Sequence, residues 1–199
     1  MPEREMGLIL KPMRITGGRA RGISISTGRA KHVRPATDRM REAVFSSLGD
    51  RIHDASVLDH FAGSGSYGLE ALSRGAGSAL FVEKHPQAVT ALEQNVIAVL
   101  KSLGNPKELK TKVIRRDVLR FESSLSHDIV FMDAPYDLIR SQGDSLLEQA
   151  SKLLSDDGIL VYELPGDLGI PEFGWNCLKR IGKSGTNEPS VAIMEKKTQ

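Results

Sequence analysis

The hydrophobic pattern changes period along this chain of 199 residues. Over residues 13–16 and 23–26 apolar and polar positions alternate on either side of Gly17-Gly18-Arg19-Ala20-Arg21-Gly22, which predicts a β-hairpin with a basic turn. Pro35 punctuates the chain. Met40, Val44, Phe45 and Leu48 follow at helical spacing, with Thr37 or Asp38 placed to cap, so a helix is predicted through Leu48. From Ser56 onward short apolar runs alternate with helical stretches. Strands are predicted over 57–61, 79–82, 112–114, 128–132 and 159–163, and helices over 67–74, 86–100 and 144–154. Pro86 suits the first turn of its helix, where the missing N–H would have no partner. Two further runs, 176–181 and 191–195, read as an antiparallel hairpin on the sheet edge. The alternation predicts an α/β fold with a doubly wound, mostly parallel, seven-stranded sheet. Such sheets bind ligands at the carboxyl ends of their strands, where the strand order reverses.

Charge divides the chain. Residues 1–51 carry eleven Lys/Arg against five Asp/Glu, a net of +6, while residues 52–199 carry sixteen against twenty, a net of −4. A basic arm on a mildly acidic body suits capture of a polyanion by one face. The density of Arg14, Arg19, Arg21, Arg29, Lys31, Arg34, Arg39 and Arg41 favours nucleic acid over an ordinary solvated surface. No apolar run approaches membrane-spanning length, and the first residues lack the pattern of a signal peptide. The single Cys177 rules out an internal disulfide, and five scattered histidines show no ligand spacing. The expectation is a cytoplasmic, metal-free protein.

Two segments carry candidate chemistry. Val57-Leu58-Asp59-His60-Phe61-Ala62-Gly63-Ser64-Gly65-Ser66-Tyr67-Gly68 runs from an apolar strand through a glycine turn into a helix. Its glycines let the backbone bend sharply and approach a ligand closely. Asp133-Ala134-Pro135-Tyr136 follows another apolar strand and offers a carboxylate, a stiff X-Pro step and an aromatic ring. Gly63-x-Gly65-x-x-Gly68 also fits a dinucleotide fingerprint, with Glu83 near the position of the ribose-binding acid. Asp59 inside the turn argues against that reading. It would repel a pyrophosphate at a helix N-terminus, yet could face the positive methionine end of S-adenosylmethionine. Alone, the Asp133 segment reads better as a plain strand-ending turn, and it gains its chemical reading from the Gly63 loop upstream. Together the two loops suggest methyl transfer from S-adenosylmethionine to a nucleobase.

The chain resembles the RsmD family of bacterial 16S rRNA guanine-N2 methyltransferases over nearly everything from Met13 to Lys196. The resemblance rests on Met13-Arg14-Ile15-x-Gly17-Gly18, on the run from Arg34-Pro35-Ala36-Thr37-Asp38-Arg39 to Phe45, and on the stretch from Leu58-Asp59 through Gly68 to Gly75-Ala76. It implies a class I, Rossmann-like methyltransferase domain over 52–199, preceded by an N-terminal extension over 1–12 and an RNA-binding arm over 13–51. It implies S-adenosylmethionine as cofactor and 16S rRNA as partner, either free or within an assembling small subunit; a monomer is expected, although no motif fixes the oligomeric state. The family usually has Asp-Pro-Pro-Tyr or Asp-Pro-Pro-Phe, and here Ala134 replaces the first proline; Ala36 replaces a threonine and His60 a leucine.

Roles follow from the chemistry. The exocyclic amine of guanine is a weak nucleophile, so the site must align nitrogen, methyl carbon and sulfur, and accept both amine protons. Asp133 and the carbonyl of Ala134 or Pro135 are the candidate acceptors, with Tyr136 stacking on a flipped or looped-out base. Asp59, Phe61, Gly63, Ser64, Gly65, Gly68 and Lys84 are candidate cofactor contacts. Glu83 would bind the ribose hydroxyls, or else is a solvated acid opening the next helix. Asp117 would pair with the adenine amino group while Val118 packs on the ring, or else Asp117 is a helix cap. Arg14, Arg19, Arg21, Arg34, Arg39 and Arg41 are candidate phosphate contacts, Arg41 being the one that its helix could turn toward the domain body. Three alternatives share parts of this pattern: a DNA adenine-N6 methyltransferase, a small-molecule methyltransferase, and an RNA-binding protein with a vestigial cofactor pocket.

Overall fold

The computed structural model describes residues 13–27, 38–171, 174–185 and 188–197. The extension over 1–12, and Arg34 with the rest of 28–37, lie outside the described residues. Met13–Arg14 (β1) and Ser24–Ile25 (β2) pair antiparallel as the basic hairpin. Asp38–Leu48 (α1) follows the described gap. Then come Ser56–Asp59 (β3), Ser66–Ser73 (α2), Ser78–Glu83 (β4), Pro86–Ser102 (α3), Lys110–Arg115 (β5) and His127–Met132 (β6). The chain continues with Tyr136–Leu153 (α4), Leu154–Pro165 (β7), Trp175–Gly182 (β8) and Pro189–Lys196 (β9).

The main sheet has seven strands in the order β5-β4-β3-β6-β7-β9-β8. β5 through β7 are parallel, and β9 and β8 close one edge antiparallel. The order reverses between β3 and β6, so a crevice at their carboxyl ends is the expected ligand position. Continuous apolar runs such as Ile129-Val130-Phe131-Met132 suit strands covered on both faces. One face packs Val57, Phe81, Ile129, Phe131 and Val161 against α1, α2, α3 and the hairpin. The other packs Leu58, Val130, Met132 and Leu160 against α4.

Met13, Ile15, Ala20 and Ile25 of the hairpin join the same apolar cluster as α1–α3. Glu70, fully buried on α2, accepts bonds from the Thr16 and Gly17 amides at 2.7 Å, from Thr16 Oγ1 at 2.8 Å and from Arg74 Nε at 2.8 Å. Charge-assisted bonds of this kind are stronger than neutral ones, so the arm is docked on α2. A Cβ at Gly18 would meet the Ser73 backbone, which explains a glycine at that contact.

Three local outcomes differ from the sequence reading. The helix expected over 144–154 begins eight residues earlier, at Tyr136, and is interrupted at Gln142 (φ −139°, ψ 24°) beside Gly143, where a glycine weakens helix continuity. The strand expected over 159–163 begins five residues earlier, at Leu154, and takes in Asp157-Gly158, where the register against β6 shifts between His127 and Ile129. The extra residues of a bulge remain unpaired while the strand continues. Finally, Arg41 points inward rather than to solvent.

A row of acids at the strand ends

The parallel strands end in carboxylates. Glu83 closes β4, Asp59 closes β3, Asp133 follows β6, and Glu163 lies near the end of β7. These four strands are consecutive in the sheet. Alternation along each strand places the four acids on the face covered by α1–α3, in step with Phe81, Val57, Phe131 and Val161. Asp117 follows β5, the next strand outward, so the row extends across five strands.

The glycine loop wraps this row. Gly65 caps α2 in the left-handed region (φ 81°), and a Cβ there would meet Leu92 and Leu69. Gly63 is also left-handed (φ 52°), and a Cβ there would meet only the Phe61 carbonyl, at 4.0 Å. Glu83 Oε2 accepts the Gly63 amide at 2.9 Å and Oε1 accepts the His85 amide at 2.8 Å. Asp59 Oδ2 accepts the Gly68 amide at 2.9 Å, at the N-terminal turn of α2. Asn95 of α3 donates to the Ser64 carbonyl at 2.9 Å and exchanges bonds with Ser26 of the hairpin, linking arm to loop. Phe61 is half-buried and Lys84 is exposed beside the loop. Asp117 is exposed and caps a short 3-10 turn over 118–120 by accepting the Leu119 amide at 3.1 Å, while Val118 is buried.

Burial makes Asp59, Asp133 and Glu163 reluctant to ionise. It pushes the Asp59 carboxyl up to about 8, with the Gly68 amide pulling down and the Asp133 and Glu83 charges pushing up. Burial raises Asp133 to about 7. Glu163 is raised well above the carboxylate range by burial first and by Asp133 second, while the Tyr67 hydroxyl and Arg41 act in the opposite sense. A cluster that resists negative charge when alone is primed to gain from an arriving cation.

In the Asp133 loop, Ala134 is buried and Pro135 is exposed. The Pro135 carbonyl accepts the Leu138 amide at 2.9 Å and the Ile139 amide at 3.0 Å, in the first turn of α4. Both of its lone pairs are therefore engaged, which removes one of the two candidate amine acceptors and leaves the Ala134 carbonyl. Tyr136, the first residue of α4, is half-buried against the apolar cluster of the opposite face.

The candidate phosphate contacts divide. Arg14, Arg19, Arg21 and Arg39 are exposed, Arg14 within 3.5 Å of Asp38. Arg41 is fully buried, donates to the Arg14 carbonyl at 2.7 Å and pairs with Asp38 at 2.8 Å. The expectation that it meets RNA is corrected: its helix turns it into the core, where its charge bears on Tyr67 and Glu163. Glu163 is the residue that sequence reasoning missed. It is buried, accepts the Tyr67 hydroxyl at 3.2 Å, and continues the row begun by the other acids. The signal was present: an acid late in an apolar strand, as in Asp59 and Glu83.

A family model described as Conserved hypothetical protein 95 matches residues 13–194. The Ribosomal RNA small subunit methyltransferase D of Escherichia coli K12 is 38% identical over 153 residues, covering 76% of this chain and 71% of that one. Its namesake from Haemophilus influenzae is 34% identical over 179 residues, covering 84% and 86%. The solved structure of yhhF from Escherichia coli superposes with a TM-score of 0.73 at 29% identity, covering 94% of this chain and 99% of that one. A family model matched over most of the chain, and relatives above 30% identity matched over more than two thirds of their own length, show that the chain belongs to the RsmD family of methyltransferases.

Proposed function

We propose that the chain transfers a methyl group from S-adenosylmethionine to the exocyclic N2 of a guanine in small-subunit (16S) rRNA. The observation that carries this reading is the row of acids around the β3–β6 crevice, with Asp59, Glu83 and Glu163 buried, Asp133 half-buried, and Asp59 and Asp133 raised to about 8 and 7. A pyrophosphate would add negative charge to a site already short of counter-charge, whereas a cation relieves it. The printed name of the Escherichia coli relative supports rRNA as the class of acceptor.

When bound, S-adenosylmethionine supplies an electrophilic methyl group on a cationic sulfonium. Asp59 answers its positive methionine end, with Phe61, Gly63, Ser64, Gly65, Gly68 and Lys84 forming the surrounding loop. The ribose hydroxyls go to Glu83, whose oxygens each retain a lone pair after accepting one amide. Asp117 and Val118 hold the adenine. Asp133 and the Ala134 carbonyl accept the two amine protons of the guanine, and Tyr136 stacks on the base. Phosphates are held by Arg14, Arg19, Arg21, Arg34 and Arg39, so residues 13–51 serve as the RNA arm and 52–199 as the catalytic domain. No helix among the described residues is long and apolar enough to cross a membrane, in keeping with a cytoplasmic enzyme acting on rRNA.

The test is nucleoside analysis after incubation with isotopically labelled methyl donor. Substrates are undermethylated 16S rRNA, small subunits carrying it, and DNA. Labelled N2-methylguanosine from either RNA substrate is the expected product. Labelled N6-methyladenine in DNA, or no transfer to any substrate, overturns the reading.

A further inference from the structure

Glu163 lies outside the roles assigned so far. Its neighbours give it one. Phe131 pairs with Val161 and Met132 with Tyr162 across β6 and β7, so the next step along both parallel strands sets Asp133 beside Glu163, on the same face. Glu163 is 3% exposed. The Tyr67 hydroxyl donates to its Oε2 at 3.2 Å, and the Tyr67 ring is held by stacking on Phe131 at 5.1 Å between centroids. The groups facing the pair are Asp59 from β3, Tyr67 from α2 and Arg41 from α1, while β9 presents apolar Val191 opposite Glu163. Two carboxyls this close and this desolvated do not both ionise readily, and their titrations belong to the pair.

We infer that Glu163 is the second carboxyl of the acceptor site, sharing one proton with Asp133, and that this pair takes up the proton released from the amine during methyl transfer. The inference rests on the function proposed above. The balance closes. The nitrogen–carbon bond forms as the carbon–sulfur bond breaks with its electron pair on sulfur, and the N–H bond breaks with its pair left on nitrogen. The proton goes to the carboxyl pair. The sulfonium changes from +1 to neutral and the pair from −1 to neutral, so this buried site creates no net charge. A lone Asp133 would lack the second oxygen pair, whose ionised form before transfer is favoured by the Tyr67 hydrogen bond and the Arg41 charge. Glu163 therefore acts through Asp133, as a positioning and proton-sharing residue.

Carbon-13 NMR of the Asp133 carboxyl, assigned by its loss in Asp133→Asn, tests the pair directly in the full chain. Wild type is expected to titrate in two steps between pH 4 and 10, and Glu163→Gln in one. Single-turnover transfer by Glu163→Gln is expected to fall at least tenfold at neutral pH, with donor affinity within twofold of wild type. Glu163→Asp should recover part of the rate, which a defect of packing alone would not allow. A single-step wild-type titration overturns the shared proton whether or not any variant folds. An undiminished transfer rate in Glu163→Gln overturns its part in proton uptake. Absence of transfer by wild type to any RNA would instead overturn the proposed function, and leave the NMR result to decide the pair.

Discussion

Removing the Asp59 carboxylate tests how the site treats a cation. In the ligand-free protein burial holds this carboxyl at about 8, against an ordinary value of 3.8. At pH 7 it is then roughly nine-tenths protonated, and ionising it costs about 1.4 kcal/mol. A donor that requires the ionised form must expel that proton, so binding should release about 0.9 proton at pH 7. The sign follows: donor affinity rises with pH, about ninefold from pH 6 to 7 and about fivefold from pH 7 to 8, and levels off above that. Asp59→Asn keeps an oxygen to accept the Gly68 amide but cannot ionise. Its affinity should be weaker at pH 8 and should rise less steeply with pH, any residual slope coming from Asp133 at about 7. Calorimetry in two buffers of different ionisation enthalpy counts the protons. Wild-type affinity that stays constant from pH 6 to 8, without proton release, would refute the assignment of Asp59 to the positive end of the donor.

Three further outcomes follow from other parts of the molecule. Replacing Arg19 and Arg21 together with alanine should make the log–log salt slope of RNA binding shallower by roughly one to two units, with donor affinity unchanged; equal slopes would assign the hairpin to solvent. Glu70→Gln weakens the three contacts that dock the hairpin on α2, and the Arg74 pair beside them, and should destabilise the protein by about 3 kcal/mol in urea unfolding, whereas a loss under 1 kcal/mol would mean the arm is held by its apolar contacts alone. His60 is fully buried, its ring nitrogens have no hydrogen-bond partner among the described residues, and burial lowers it to about 3. His60→Leu should therefore stabilise by about 1–3 kcal/mol, and the gain should grow as pH falls below 6.5, where the unfolded histidine binds a proton that the folded one refuses; a loss of melting temperature would contradict this.

The parts of the fold that were legible in the sequence are those with uninterrupted periodicity. Each parallel strand is a short apolar run, and the acids Asp59, Glu83 and Asp133 stand out because each closes its run. Glu163 closes the predicted strand over 159–163 in the same way, but neither a glycine turn nor an Asp-x-Pro-aromatic loop accompanies it, so no motif singled it out. Arg41 was left open by the sequence, since a charge in a basic stretch suits the surface while its helix could also turn it toward the domain body. Only packing of α1 onto the sheet shows that its helical face, with Val44, Phe45 and Leu48, carries Arg41 into the core. The early start of α4 depends on the Pro135 carbonyl accepting two amides, a tertiary outcome that the local Asp-Ala-Pro-Tyr sequence does not dictate. The inventory of site residues could thus be drawn from motifs, while their partners could not.

Asp133 is where donor site and acceptor chemistry separate, and one variant there tests the account most directly. Asp133→Asn preserves size and one carbonyl oxygen but removes the charge that accepts the amine proton. Single-turnover transfer of labelled methyl to undermethylated 16S rRNA, with donor affinity measured on the same preparation, should show a rate at least a hundredfold below wild type, or about 2.7 kcal/mol of lost transition-state stabilisation, with donor affinity within threefold. Transfer by Asp133→Asn at the wild-type rate would contradict the account at its centre.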